Sequence, residues 1–324
     1  MTEEQRAGGP SGSSARRWLV TFAAAVGVVL TAYAIGARLQ GAPNGGGAAA
    51  VRADSCRGVP AFLADLGFGS NVLVDTTQAL YTGLAIREAG EDGRSYQHPT
   101  WDDAGNVGPY ALDRHGNIYV APVPLVSMAR NLPEEQNRVY RVDGATGEMA
   151  LYADLPRDVE PSGANPYGVV GMTYDCDTDS LYVTSVAGSG PDDERGRIHR
   201  LDTRTGEVMT VLDGFDALGV AIARQGGEKR LYVGGARRPA IYSLAVAPDG
   251  GLVGPPRLEV DLADIPGSSF DKIARIRFDE SGQMTATGIE FSYSLKAASD
   301  PGANLYHLRY DAGQGEWVPV AAAD

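Results

Sequence analysis

Three residues in this chain stand just ahead of apolar, strand-like runs and carry oxygen ligands. Asn165 precedes Pro166-Tyr167-Gly168, Asp216 precedes Ala217-Leu218-Gly219, and Asp271 precedes Lys272-Ile273-Ala274. Asn106, two residues before Gly108, and Asn71, ahead of Val72-Leu73-Val74, fall at comparable places. Asn and Asp oxygens brought together from separate rigid elements suit a hard cation such as Ca²⁺. The same side chains ahead of a strand also cap turns, and the residues alone leave both readings open. Tyr110 and Tyr167 share one position relative to these runs. His98, in Gln97-His98-Pro99-Thr100-Trp101-Asp102-Asp103, has Asp102 and Asp103 near enough in sequence to orient its ring. The other histidines, His115, His199 and His307, are scattered. Asp175-Cys176-Asp177-Thr178-Asp179-Ser180 starts like a calcium loop, but Ser180 stands in the glycine position and Val186 in that of the closing Glu, so it reads as a solvated turn. The chain has no Gly-x-Ser-x-Gly elbow, Cys-x-x-Cys, phosphate-binding glycine loop or His-Glu-x-x-His.

The elements that would have to position these residues are short strands in a repeating order. Tyr110-Ala111-Leu112-Asp113 leads through a polar turn into Ile118-Tyr119-Val120, and Met172–Asp175 leads likewise into Leu181-Tyr182-Val183. Val220–Ala223 leads into Leu231-Tyr232-Val233, and Ile276–Asp279 into Met284-Thr285-Ala286. Each is a hairpin signature. A second hairpin follows, with Asp143, Asp202 or Asp311 four residues before a Gly-Glu pair. There Asp accepts from the turn's backbone and Gly supplies the positive φ. Asn71–Asp75 and Ala79–Ile86 read as strands of an incomplete first unit, and Glu88–Gly105 as a polar loop. A period of roughly fifty residues with four antiparallel strands in each unit is the mark of propeller blades. The expected fold is all-β, a propeller over residues 56–324, with five blades countable.

The paired hairpins, with Leu-Tyr-Val on the second strand and Asp-x-x-Thr-Gly-Glu between third and fourth, resemble the six-bladed propellers of the gluconolactonase-like and strictosidine-synthase-like group. That resemblance favours six blades over five. It also implies a metal in the central channel, held by Glu, Asn and Asp, that polarises a lactone or ester. Carried across, Asn165, Asp216 and Asp271 would be ligands of Ca²⁺ or another divalent cation. Asn71, Asn106, Tyr110, Tyr167, Lys272 and His98 would stand about the channel mouth. The chain departs from the pattern in having no counterpart of the first-blade Glu, and Lys272 would repel a cation if it pointed inward.

The N-terminal part is different in kind. Residues 1–17 are polar and small, and read as a disordered tail. Trp18–Ala37 contains no charged residue and matches the ~20 residues that span a bilayer as a helix. Arg16-Arg17 flank its start, which by the positive-inside rule leaves everything after residue 38 outside the cytoplasm. A signal-anchor is the favoured reading and a cleaved signal peptide, giving a secreted protein, the alternative. Residues 38–55, rich in Gly and Ala, read as a flexible linker. In an oxidising compartment the two cysteines, Cys56 and Cys176, permit one disulfide; the alternative is two unpaired thiols. With 41 acidic residues against 28 Lys and Arg, the formal charge of −13 argues against a nucleic-acid partner. The expectation is a membrane-tethered extracytoplasmic propeller that binds a small molecule, glycan or protein at its channel mouth, or else a metal-dependent hydrolase of lactones or esters.

Overall fold

The computed structural model describes residues 51–69, 71–77, 82–90, 93–124, 131–265, 268, 270–295 and 302–320. The polar tail and the expected membrane helix at Trp18–Ala37 lie outside them. No described helix is long and apolar enough to cross a membrane.

Strand β1 (Val51–Ala53) opens the described chain. A three-stranded sheet follows, of β2 (Val72–Asp75), β3 (Ala85–Glu88) and β4 (Ser95–Tyr96). The second sheet is a four-stranded meander of β5 (Val107–Leu112), β6 (Ile118–Pro122), β7 (Arg138–Val142) and β8 (Met149–Asp154). The third has β9 (Val169–Asp175), β10 (Ser180–Ser185), β11 (Arg197–Asp202) and β12 (Val208–Asp213). The fourth has β13 (Ala217–Gln225), β14 (Glu228–Gly235), β15 (Ala240–Val246) and β16 (Leu252–Asp261). The fifth has β17 (Asp271–Phe278), β18 (Met284–Glu290), β19 (Asn304–Asp311) and β20 (Glu316–Pro319). All pairing within the sheets is antiparallel, and the first strands β5, β9, β13 and β17 neighbour one another in that order. This is a β-propeller. The described residues form five sheets, and the sixth that the resemblance favoured is not among them.

The second strand of each blade explains why the sheets stack. In an antiparallel strand successive side chains point to opposite faces, so a strand covered on both faces must be apolar at every position. Ile118 and Val120 pack against the first sheet, and Tyr119 packs against the third. Leu181 and Val183 pack back on the second sheet while Tyr182 faces the fourth. Leu231 and Val233 face the third while Tyr232 faces the fifth. The three tyrosine side chains have no solvent exposure. The fifth sheet breaks the series. Met284 and Ala286 pack against the fourth sheet, but Thr285 and Thr287 stand in the alternate positions. Four apolar layers thus join five sheets, and among the described residues none joins the fifth to the first.

The turns follow the sequence reading closely. Asp143 Oδ1 accepts from the amides of Ala145 and Thr146, Asp202 Oδ1 from Arg204 and Thr205, and Asp311 Oδ1 from Gly313 and Gln314. Gly147, Gly206 and Gly315 follow with φ of 78°, 76° and 76°, which a side chain would strain.

Two stretches differ from expectation. The polar loop 88–105 contains β4 and a 3₁₀ helix, Pro99–Ala104. The cause is Trp101, whose ring is fully buried among Phe62, Tyr96 and His98 and whose Nε1 donates to Gly147 O at 2.8 Å. The segment expected as linker is folded from Val51 onward. β1 pairs with the far end of β13, Val51 opposite Gln225. The chain then crosses the lower end of the ring as a strap. Asp54 meets Lys229 of the fourth blade at 3.4 Å, and Cys56 bonds to Cys176 of the third. Gly58 N donates to Asp113 O of the second at 2.8 Å, and Phe62 N to Gly144 O at 3.2 Å. The short helix α1 (Phe62–Asp65) ends the strap by burying Phe62 and Leu63 between the first two sheets.

Candidate channel site

In four members of the Asn/Asp column, Asn106, Asn165, Asp216 and Asp271, the side chain is engaged by the protein. Asn165 is 5% exposed; its Nδ2 donates to the carbonyls of Val186 and Ser189, both at 2.8 Å, and its Oδ1 accepts from Tyr167 N at 3.0 Å. Asp216 is 1% exposed and accepts four donors. Gly196 N (2.8 Å) and Ser189 Oγ (2.5 Å) reach Oδ1, while Arg237 Nε (2.9 Å) and Tyr293 OH (2.5 Å) reach Oδ2. Asp271 Oδ2 accepts from Asn304 Nδ2 at 2.9 Å and Tyr306 OH at 2.5 Å. Asn106 is tied to Asn131, whose Oδ1 accepts from its amide at 2.7 Å and its Nδ2 at 3.2 Å. Asn106, Asn165 and Asp216 each fasten the head of a first strand to a connection between second and third strands, whereas Asp271 is held by Asn304 and Tyr306 of β19 itself. Asn165 and Asp216 share Ser189 and so belong to one network; Asp271 belongs to another.

Arg237 is the hub of the larger network. Besides Asp216 it holds Pro191 O at 2.9 Å and Gly190 O at 2.8 Å, and its guanidinium lies 5.5 Å from the Tyr293 ring. The acidic loop Gly190–Arg195 is thereby pinned. Burial pushes the Tyr293 phenol well above its ordinary range, and the hydrogen bond to Asp216 adds to the effect. Above this network Tyr167, Phe291 and Tyr293 form an aromatic stack, with ring centroids 5.2 and 5.3 Å apart. Tyr167 therefore packs in an apolar cluster with Val186 and Leu218.

The remaining channel-mouth candidates separate. Tyr110 is half-buried on β5 and packs against the apolar cluster between the first two sheets. Lys272 is half-buried on β17; burial lowers its pKa, with Asp271 opposing. Asn71 is exposed at the edge of the first sheet beside Glu88 and Gly90. His98 is not at the channel. It caps the 3₁₀ helix, its Nδ1 accepting from Thr100 N at 3.3 Å, and that helix packs on β8, the outermost strand of the second blade.

Among the described residues one group of carboxylates lies close enough to hold an ion: Asp54, Asp175 and Asp177, with ligand atoms within 4.8 Å of one another. Lys229 Nζ occupies its centre, bonded to Asp175 and Asp177. Burial opposes the charge on Lys229, but the bonds to Asp175 and Asp177 outweigh it and raise the pKa. An ammonium in that place supplies the charge compensation a cation would otherwise bring. The turn at Asp175 is therefore not the solvated turn its sequence suggested: Asp175 is buried against Lys229, a partner the sequence did not identify.

Sequence reasoning also passed over Arg275 and Arg277, which stand on one face of β17 opposite Thr287 and Thr285. The signal was present in β17, where cations recur among apolar residues from Lys272 to Arg277.

No protein-family model matches the chain, and no curated protein matches it. Solved structures similar to it include a gluconolactonase-family protein at 15% identity, covering 83% of this chain and 86% of that one with a TM-score of 0.46. Regucalcin, a calcium-binding protein from Agrobacterium tumefaciens, is 12% identical over 82% of this chain and 76% of its own, with a TM-score of 0.46. A nidogen–laminin complex is 14% identical over 75% and 86%, with a TM-score of 0.45. At these values the likeness to the gluconolactonase-like group is one of propeller architecture, and it carries no chemistry over to this chain.

Proposed function

We propose that this chain is a membrane-tethered, extracytoplasmic propeller that binds a ligand in its central channel without a metal. One observation carries the reading: Asn165 and Asp216 are engaged by protein donors, with the Arg237 guanidinium 2.9 Å from Asp216 where a cation would sit. The disulfide between Cys56 and Cys176 supports an oxidising compartment, and the charge-free run Trp18–Ala37 supports the tether. The competing reading, a Ca²⁺-dependent hydrolase of lactones or esters, is supported only by the shared architecture and by the carboxylates about Lys229. Those carboxylates stand beneath the strap at the opposite end of the ring.

Metal analysis of the purified chain, with turnover of a lactone and ester panel, tests the choice. The expected result is substoichiometric divalent metal and no turnover above buffer. Stoichiometric metal that is lost in Asp216→Ala, together with hydrolysis, would establish the hydrolase instead.

A further inference from the structure

Resting on the channel-binding reading, we infer that the channel opens at its upper end only, through a lid made by residues 291–295 of the fifth blade and latched by Tyr293 on Asp216. The lower end is closed by the strap, which touches every sheet on its way. Val51 O lies against Gly282, in the turn between β17 and β18, too closely for a side chain to fit there. β1 adds to the channel-side edge of β13. Cys56 is bonded to Cys176 of the third blade, and Val59 and Pro60 lie against Gly116 of the second. Phe62 meets Tyr96 of the first sheet, with ring centroids 6.3 Å apart. At the upper end the chain leaves β18 beside the head of β17, with Glu290 opposite Asp271. It does not turn straight back into β19. Phe291 packs on Tyr167, just ahead of β9, with ring centroids 5.2 Å apart, so the contact passes from the fifth blade to the third. Tyr293 is buried in an apolar cluster with Val186, Leu218 and Ala236, and its hydroxyl donates to Asp216, at the head of β13, at 2.5 Å. The segment thus crosses the heads of the first strands of three blades.

The two closures are built differently. A disulfide, a strand pairing and the backbone bonds of Gly58 and Phe62 hold the strap. Among the described residues, 291–295 make no hydrogen bond from backbone to backbone. Ser292 Oγ donates to Ser294 O at 3.0 Å within the segment, and the bond that ties it outward is the one from the Tyr293 phenol. The Phe291–Tyr167 contact and the Arg237 guanidinium, 5.5 Å from the Tyr293 ring, complete the latch. A segment held by a few side chains and no backbone ladder opens locally far more readily than one tied into the core. The bond from a hydroxyl to a carboxylate is stronger than a neutral one, which keeps the lid closed at rest. Opening does not strand Asp216, because Gly196 N, Ser189 Oγ and Arg237 Nε still donate to it when Tyr293 leaves. The carboxylate is therefore a fixed keeper and the phenol a movable bolt.

The test uses one added cysteine, Val170→Cys, in the full-length chain in detergent. Val170 is half-buried on β9 against the cluster that holds Tyr293. Its alkylation by N-ethylmaleimide, which spares the disulfide, is followed by mass spectrometry. With the lid unchanged, alkylation is expected to run roughly tenfold or more below that of the denatured chain. Tyr293→Phe keeps the ring, removes the latch bond and is expected to speed alkylation roughly tenfold or more. Phe291→Ala leaves Asp216 and its donors in place and is expected to speed it roughly threefold or more. Ser292→Ala, at an exposed position, is expected to change it by less than about twofold. Replacing Cys56 and Cys176 by serine loosens the lower closure and is expected to leave the Val170→Cys rate within about twofold of its parent. Circular dichroism identifies any variant that fails to fold, and Phe291→Ala then decides for Tyr293→Phe or the reverse. Alkylation at the denatured rate with the lid unchanged, or no acceleration by either lid substitution, overturns the inference. So does acceleration by the serine pair equal to that of Tyr293→Phe. That failure leaves the metal-free binding reading standing, since the latter falls only on metal content and turnover.

Discussion

Asp216 shows what a buried carboxylate does when it is not a ligand. Four donors converge on it, and removing the charge leaves Arg237 without the nearer of its two carboxylate partners and Tyr293 without an acceptor. Asp216→Ala is expected to cost about 3–5 kcal/mol in urea unfolding, the range for breaking one partner from a buried pair. His199 gives a pH dependence at the same scale. It is fully buried on β11, with Thr210 Oγ1 3.2 Å from Nδ1 and no partner for Nε2. Burial, and secondarily Arg197, pushes its pKa down to about 4 from an ordinary 6.5. The unfolded chain therefore binds the extra proton first. Stability that is present above pH 6.5 is lost as the pH falls toward 4, by about 3 kcal/mol over that window. Urea midpoints measured between pH 7 and pH 4 should show this slope, and His199→Gln should flatten it. Lys229→Met removes the ammonium from Asp54, Asp175 and Asp177. It is expected to lower the melting temperature and, unlike the parent, to gain stability from added Ca²⁺ in a thermal-shift assay.

Among the elements, the strap from β1 to α1 does the most to fix the ring. It joins the fourth, third and second blades through Lys229, Cys176 and Asp113 in turn. The disulfide spans a sequence separation of 120, so replacing both cysteines by serine is expected to cost roughly 4–5 kcal/mol on the loop-entropy account. Hydrogen exchange should then quicken at the amides of Gly58 and Phe62 while the β10 amides stay protected. The blades themselves were legible in the sequence because their cues are local: Asp-x-x-Thr-Gly-Glu fixes a turn, and Leu-Tyr-Val fixes a strand covered on both faces. The strap was not legible. Val51-Arg52-Ala53 has too few residues to show a period, and its pairing with β13 is a contact across much of the chain. The 3₁₀ helix at Pro99 escaped for a related reason, since it is held by the burial of Trp101 rather than by any helical pattern around it.

For the whole molecule, the count of layers matters more than the count of strands. Among the described residues four apolar layers join five sheets, and the face left over is polar, with Arg275, Arg277, Thr285 and Thr287 in its first two rows. The change from Leu-Tyr-Val to Met284-Thr285-Ala286 carried that information in the sequence, but its meaning depends on which face each residue takes, which only the register reveals. The positions of the Asn/Asp column were likewise legible and their partners were not. Ser189, Arg237 and Tyr293 lie far from Asp216 in sequence, and it is these that turn a plausible ligand set into a clamp. The most direct test of a metal-free binding propeller is the divalent metal content of the purified full-length chain, measured together with its melting temperature with and without chelator. Substoichiometric metal and an unchanged melting temperature are expected. One bound equivalent, with a chelator-induced fall that Asp216→Ala abolishes, would contradict the account.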